Sequence, residues 1–395
     1  MILKNIGVFY GKNLRYINST NLKINNHYFD NISKYCSNEN NEPIIDCEGL
    51  IILPGFINSH THIGDSIAKD VNLDLTVNEK VNPIYGIKKQ IINNSLPTHL
   101  ESYMYSTCKS MIKKGITTFV DFREGGILGV TMLKKILRLV PIKCVILGRI
   151  DYYQTNEQII KNRSIPKDKQ EELRVVSNSV DGLGISGANE YSDSVLAHFS
   201  KINKFRAIHA AETEASIKKS KQLTGKSEIQ RSLQIKPHFI IHMTYASKFD
   251  LHIVRKYTNN IVVCPRSNAA MAEKFPDVYS MLKLGYNVSL GTDNVMINSP
   301  DIFREMDYLW KTVMSINNKR IAPLDILKMA TVNAGKIFRN KGVIQKGSIA
   351  DCIFIKKHEV DLDPMHDPHA AIVHRASESS ISAVMINGKI IHGKI

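Results

Sequence analysis

Residues 98–120 read THLESYMYSTCKSMIKKGITTFV. Thr98, followed three residues on by Glu101, has the form of a capping box. The apolar residues after it recur at helical spacing until Gly115. A β-branched run, Ile116-Thr-Thr-Phe-Val120, follows without a linker. A helix feeding directly into a short apolar strand is half of a β/α repeat, and the alternation continues on both sides. Strand-like runs stand at CVIL 144–147, GLGI 182–185, RAI 206–208, FII 239–241, IVV 261–263 and VSL 288–290, with helix-like segments between them. A first strand is expected at IIL 51–53, which makes eight units. Short, wholly apolar strands separated by helices indicate a parallel sheet covered on both faces. Eight units over roughly 250–300 residues fit a (β/α)8 barrel. A doubly wound sheet alternates in the same way, so the count alone leaves both open.

The two ends differ from the middle. Polar breaks such as NSTN at 18–21 and SNENNEP at 37–43 separate short apolar runs in the first 52 residues. The last fifty contain CIFI at 352–355 and AVMI at 383–386, then Asn387-Gly388 and a second apolar pair at 390–391. Asn-Gly between two apolar runs is a hairpin signal. The expected organisation is a β-rich part at 1–52, the α/β body at 53–344 and a second β-rich part at 345–395.

The chain has 395 residues, 43% of them hydrophobic and 23% charged, which excludes a disordered tail protein, a collagen-like fibre and a disulfide scaffold. Its net charge is +15, with lysines scattered and no basic arm, so a composition-wide bias is favoured over a nucleic-acid surface. The six cysteines form no C-x-x-C pair and read as reduced thiols of a cytoplasmic protein. MILKNIGVFYGK is broken by Lys4 and Asn5 and does not read as a signal peptide. No stretch approaches the ~18 apolar residues of a membrane span.

The chemistry-bearing residues sit at strand ends. His60 and His62 are two apart, and in extended backbone such residues share a face, where two imidazoles can hold one metal ion. In a chain with 14 histidines the pair alone is equally well read as chance. His209 ends FRAIH, His242 ends FIIH and Asp293 ends VSLGTD. Each alone is more readily a core histidine or a capping aspartate. Five metal-capable side chains all at strand C-termini point to a site, since those ends converge on one pocket. Imidazoles with a carboxylate suit Zn²⁺ best and Fe²⁺ or Mn²⁺ less well. Glu212, three residues after His209, is the candidate proton shuttle; its bland reading is a first-turn glutamate at a helix N-terminus.

These residues carry a resemblance. LPGFINSHTH at 53–62, GITT at 115–118, HAAET at 209–213, His242, CPRSN at 264–268, GTD at 291–293 and GSIAD at 347–351 occur in the order seen in the amidohydrolase superfamily. The pattern resembles the branch of cytosine, guanine and S-adenosylhomocysteine-type deaminases and triazine chlorohydrolases. The resemblance implies a TIM barrel with a small β-sandwich built from both ends, and a homodimer. It implies one divalent metal held by His60, His62, His209 and Asp293. His242 would orient the attacking water or polarise the oxyanion, Asp293 would take the water proton, and Glu212 would protonate the ring and the departing amine. Residues 180–189 lack the lysine that bridges two metals in dinuclear relatives, which favours one ion.

The pattern departs after the fourth strand. Nucleoside deaminases of the branch carry a His-Ala-Pro-Tyr-like segment there, whereas this chain has Gly187-Ala-Asn-Glu-Tyr191. Asn189 or Glu190 is then a substrate contact or a loop residue. Arg123 is expected either to bind an anionic group or to pair with Glu124 or Asp121. Asp65, Lys69, Arg266 and Asn268 are further candidates for the pocket. The expected activity is deamination of a small nitrogen heterocycle. Hydrolysis of a cyclic amide, imidazolone or halogenated ring by the same core is the alternative, and a nucleic-acid-associated protein is a third, disfavoured reading. Neither a nucleic acid nor a membrane is expected as a partner.

Overall fold

Eight short parallel strands form the body of the computed structural model, which describes residues 1–34, 36, 42–338 and 342–395. In order they are Phe56–His62, Ile116–Arg123, Lys143–Gly148, Gly182–Ile185, Phe205–Ala210, Phe239–His242, Asn260–Val263 and Asn287–Leu290. Each pairs in parallel with the next. The last continues two residues later as Asp293–Asn294, which pairs in parallel with Thr61 and His62 of the first strand. The sheet thus curls back on its own beginning, as in a TIM barrel, and the doubly wound alternative is excluded. The helices lie between consecutive strands and cover the outside.

Side-chain alternation divides the strands as a closed barrel requires. Ile57, Val120, Phe122, Leu147, Ala207, Phe239, Ile241 and Val262 form one cluster, with Ala334, Ile337 and Phe338 of helix Val332–Phe338. Their strand neighbours Phe119, Ile208, Ile240, Ile261 and Val263 belong to the larger cluster that includes the surrounding helices.

The expected first strand at 51–53 is corrected. Leu50–Pro54 is a strand of a separate sheet, and the first barrel strand begins at Phe56, after Gly55. Both runs are apolar and adjacent, so composition alone does not reveal that the chain changes sheet between them. The helix start is also corrected. Pro97 is the first residue of helix Pro97–Lys113, capped by Leu96, and Thr98 lies inside the first turn without a capping box. Proline's fixed φ and missing N–H suit that first position.

The two ends meet in one sheet of eight strands. Its order is Lys389–Gly393, Ile381–Ile386, Cys352–Lys356, Leu50–Pro54, Ile2–Tyr10, Arg15–Asn25 and Tyr28–Ser33, with Ile44–Asp46 also pairing Ile2–Tyr10. The hairpin read at Asn387-Gly388 forms, both residues having positive φ, +51° and +72°. Of the break at 37–43, residues 37–41 lie outside the described residues. All six cysteines are free, and no helix among the described residues is long and apolar enough to cross a membrane.

Closure depends on a close approach at residue 291. A Cβ on Gly291 would lie 2.6 Å from the His60 Cβ, well inside van der Waals contact. Gly291→Ala should therefore force the first and eighth strands apart and lower the unfolding free energy by about 1–3 kcal/mol. Urea denaturation measures this; an unchanged midpoint would contradict the packing.

Candidate active site

The strand ends bring three imidazoles and a carboxylate to one point. His60 and His62 end the first strand, His209 ends the fifth, and Asp293 follows the eighth. The Nε2 of His209 is 3.2 Å from that of His60 and 3.4 Å from that of His62. Asp293 Oδ1 lies 3.1 Å from His60 Nε2 and 3.6 Å from His62 Nε2. All four ligand atoms fall within 4.8 Å of one another, and all four residues are buried.

His209 shows which nitrogen is free. Its Nδ1 is 3.0 Å from the Ile185 carbonyl oxygen, which can only accept, so Nδ1 carries the proton and Nε2 presents a lone pair. Burial lowers the pKa of His60, that of His62 to about 3, and that of His209 well below the usual imidazole value, so the rings are neutral. Lone pairs aimed at one another at these separations repel unless a cation lies between them. Ligand bonds of about 2.0–2.1 Å in a tetrahedron separate the ligand atoms by about 3.3–3.4 Å, and the four distances above bracket that spacing. The residues therefore fit a small divalent ion.

The supports are local. The Phe122 ring meets His60 edge-on with centroids 4.4 Å apart and forms a floor. Ser267 Oγ donates to Asp293 Oδ2 at 2.6 Å, and Asn58 Nδ2 donates to Thr292 Oγ1 at 2.7 Å. Asp293 and His242 adopt φ of +61° and +70°. Neither is glycine, and such strain collects where side-chain direction matters. Ala207 and His209 share an inward parity, as do Phe239 and Ile241; His242 breaks that parity, and its left-handed backbone turns its ring toward the same point. Opposing Asp293's own burial, the His60 hydrogen bond and the neighbouring imidazoles hold its carboxyl well below the usual carboxylate range.

His242 and Glu212 form a second layer. His242 Nε2 is 3.6 Å from Glu212 Oε1, and its Nδ1 is 3.4 Å from Asn268 Oδ1. Asn268 uses its Nδ2 on Thr244 Oγ1, so Oδ1 is its accepting end and His242 Nδ1 the donor. Burial pushes the Glu212 carboxyl up to about 6, against the pull of His242.

A cavity of about 420 Å³ opens above these groups. His62, His209, Glu212, His242 and Asp293 line it, as does Asn189. Glu190 lines it too, whereas the remaining expected substrate contacts lie elsewhere. Arg123 is buried and pairs with Asp121 at 3.7 Å and Glu124 at 3.3 Å, which is the ion-pair alternative. Arg266 holds Glu305 Oε1 at 3.3 Å and the Ser299 carbonyl, outside the cavity lining. Asn268 acts on His242 rather than on the cavity. Lys69 is exposed, and Asp65 is buried, accepting from Asn294 Nδ2 at 2.6 Å.

The cations that line the cavity are ones sequence reasoning passed over: Lys88, Arg149 and Lys219. Lys88 contacts Glu124 Oε1, which also takes Arg149 at 3.3 Å and lies 3.4 Å from His62 Nδ1. Burial would raise the Glu124 carboxyl, but Lys88, His62 and Arg149 hold it well below the usual range. Arg149 directly follows the third strand, a position that could have marked it, as Arg123 was marked at the end of the second. Lys88 sits in helix Ile87–Asn94, outside the strand ends, and gave no such signal.

Residues 51–391 match the model of the amidohydrolase family. A relative from Methanothermobacter thermautotrophicus, named as an aminohydrolase of unestablished function, is 34% identical over 88% of each chain. The 5-methylthioadenosine/S-adenosylhomocysteine deaminase of Thermococcus sibiricus is 27% identical over 99% of this chain and 93% of its own. The zinc-complexed atrazine chlorohydrolase of Arthrobacter aurescens superposes with a TM-score of 0.83 at 15% identity, covering 98% of this chain and 94% of that one.

Glu124 is the shared counterion of Lys88, Arg123 and Arg149. Glu124→Gln should leave these buried cations short of charge and lower the unfolding free energy by about 3–5 kcal/mol. Equilibrium urea unfolding tests this, and a loss below about 1 kcal/mol would show that the network is not coupled.

Proposed function

This chain belongs to the amidohydrolase family, and we propose that it is a mononuclear metal-dependent hydrolase that deaminates a heterocyclic amine. The observation that carries the reading is the convergence of three neutral imidazole Nε2 atoms and one carboxylate oxygen at tetrahedral ligand spacing beneath a cavity lined by Glu212 and His242. His60, His62, His209 and Asp293 would hold one divalent ion, zinc by its donor set and iron or manganese second. Bound there, the ion supplies a Lewis-acid centre that brings the pKa of water toward neutrality.

The chain's own groups do the rest. His242 donates its Nδ1–H to Asn268 Oδ1, so its Nε2 accepts from the attacking water and orients it. Asp293 takes the proton released as water adds to the ring carbon. Glu212 gives its proton to the ring nitrogen, relays the proton that Asp293 took from the water to the departing amine, which leaves as ammonia, and recovers the hydroxyl proton as the carbonyl forms. The partner in this reading is a small nitrogen heterocycle, not a nucleic acid or a membrane. The enzyme works in the cytoplasm as a homodimer, and the sheet formed by the two ends of the chain is its small second domain.

Metal analysis of the purified protein should give one equivalent of divalent ion, and chelation should abolish ammonia release until zinc is restored. His60→Ala and Asp293→Ala should lose the ion; unchanged metal content would refute the ligand assignment. Glu212→Gln should keep the ion and lower kcat by about 10²–10⁴-fold. Ammonia release from a panel of aminated purines, pyrimidines and pterins tests the reaction. No ammonia, with hydrolysis of a cyclic amide or halogenated ring instead, would overturn the deaminase reading.

A further inference from the structure

The segment that departs from the family pattern, Gly187 to Tyr191, forms one wall of the cavity. The fourth strand ends at Ile185, and Ala188–Glu190 makes a single 3-10 turn that carries Asn189 and Glu190 into the lining. Asn189 is 5% exposed, and its Nδ2 is committed to the Ser216 carbonyl at 2.8 Å. Its Oδ1 has no hydrogen-bond partner, and neither does Glu190 Oε2.

A third acceptor stands beside them. Glu228 lines the same cavity, and its Oε2 accepts from the Ala211 N–H at 3.0 Å and from Ser216 Oγ at 2.7 Å. A Cβ built on Gly187 would lie 2.9 Å from Glu190 Oε2 and 3.9 Å from Glu228 Oε1. The absence of a side chain at 187 therefore leaves a space faced by both carboxylates. This wall offers an amide oxygen and two carboxylates, where a histidine in the nucleoside deaminases of the branch helps bind substrate.

Unpartnered buried acceptors are costly unless a ligand supplies donors. We propose that this wall selects a heterocycle that carries a ring N–H beside the amino group to be released, and rejects rings that present a lone pair at that position. A carboxylate matches such an N–H/NH₂ edge with two parallel hydrogen bonds. A sugar hydroxyl fits less well, because its own lone pairs would meet further acceptors, whereas an N–H has none. A ring nitrogen lone pair facing Asn189 Oδ1 or Glu190 leaves both sides unpaired and repelling, the situation in which binding sites discriminate most strongly.

The inference rests on the deaminase reading of the same site, and the test separates the two. Metal-loaded Glu212→Gln protein, in which turnover is suppressed, is titrated by calorimetry with guanine, pterin, adenine and adenosine. Guanine or pterin should bind at least about 10-fold tighter than adenine. Adding Glu190→Gln should weaken guanine and pterin by about 10–100-fold and leave adenine unchanged. Asn189→Leu should act in the same direction, so a misfolded Glu190 variant does not end the test. Adenine binding as tightly as guanine, variants without effect, or no binding of guanine and pterin to folded protein would overturn the inference. So would adenosine binding tightest in a Glu190-dependent way, which would transfer the donor role to hydroxyls. Guanine or pterin binding without ammonia release from the wild-type enzyme would sink the deaminase reading and leave this inference standing. Ammonia from adenosine alone would do the reverse.

Discussion

Three neutral imidazoles and a carboxylate cannot share a point about 3.3 Å across by their own chemistry, because lone pairs facing lone pairs repel. The protein holds them there by backbone geometry. The closed barrel delivers His60, His62 and His209 on strands whose registers are locked by neighbours on both sides. A left-handed φ at Asp293 and another at His242 turn the remaining groups in. Phe122 beneath, Ser267 beside Asp293 and the Ile185 carbonyl behind His209 then restrict the side chains, and at His209 the carbonyl also fixes Nδ1 as the protonated nitrogen. The rest of the site is organised around a place whose donor atoms fit a divalent cation.

A second charged layer lies beside the first. Lys88, Arg123 and Arg149 stand against Asp65, Asp121 and Glu124, with Glu124 Oε1 reaching Lys88, Arg149 and His62. The +15 of the whole chain is therefore not expressed as free positive charge around this layer: three cations meet three acids. Buried pairs of this kind add little net stability compared with apolar packing, but breaking one is costly. What the layer contributes is placement, since it ties the covering helix Ile87–Asn94 to the ends of the second and third strands and to the His62 imidazole.

Much of this was legible along the chain. Strands two to eight stand within three residues of the runs read from β-branched and apolar composition, because each is short, buried on both faces and bounded by polar residues. The residues that form the site were legible for a related reason: each polar group directly follows a strand, and strand ends of a barrel meet. The first strand was not legible. IIL at 51–53 and FI at 56–57 are both apolar and separated by two residues, and only hydrogen-bonding partners distant in sequence show that they belong to different sheets.

The sequence by itself determined the β/α alternation, the β-rich character of the two ends and the polar residues at the strand ends, because these follow from local periodicity; closure of the barrel and the pairing of the two ends were decided by strand partners far apart in the chain. Tertiary structure alone decided which charges face the cavity. Arg123 and Arg149 both stand at strand ends, yet Arg123 turns into the ion pairs while Arg149 and the distant Lys88 line the pocket. Glu190 and Glu228 are 38 positions apart and become neighbours across the empty side of Gly187. A side chain's direction and its partners depend on which remote segment packs against it. That information lies in the contacts between elements, not in the spacing within any one of them.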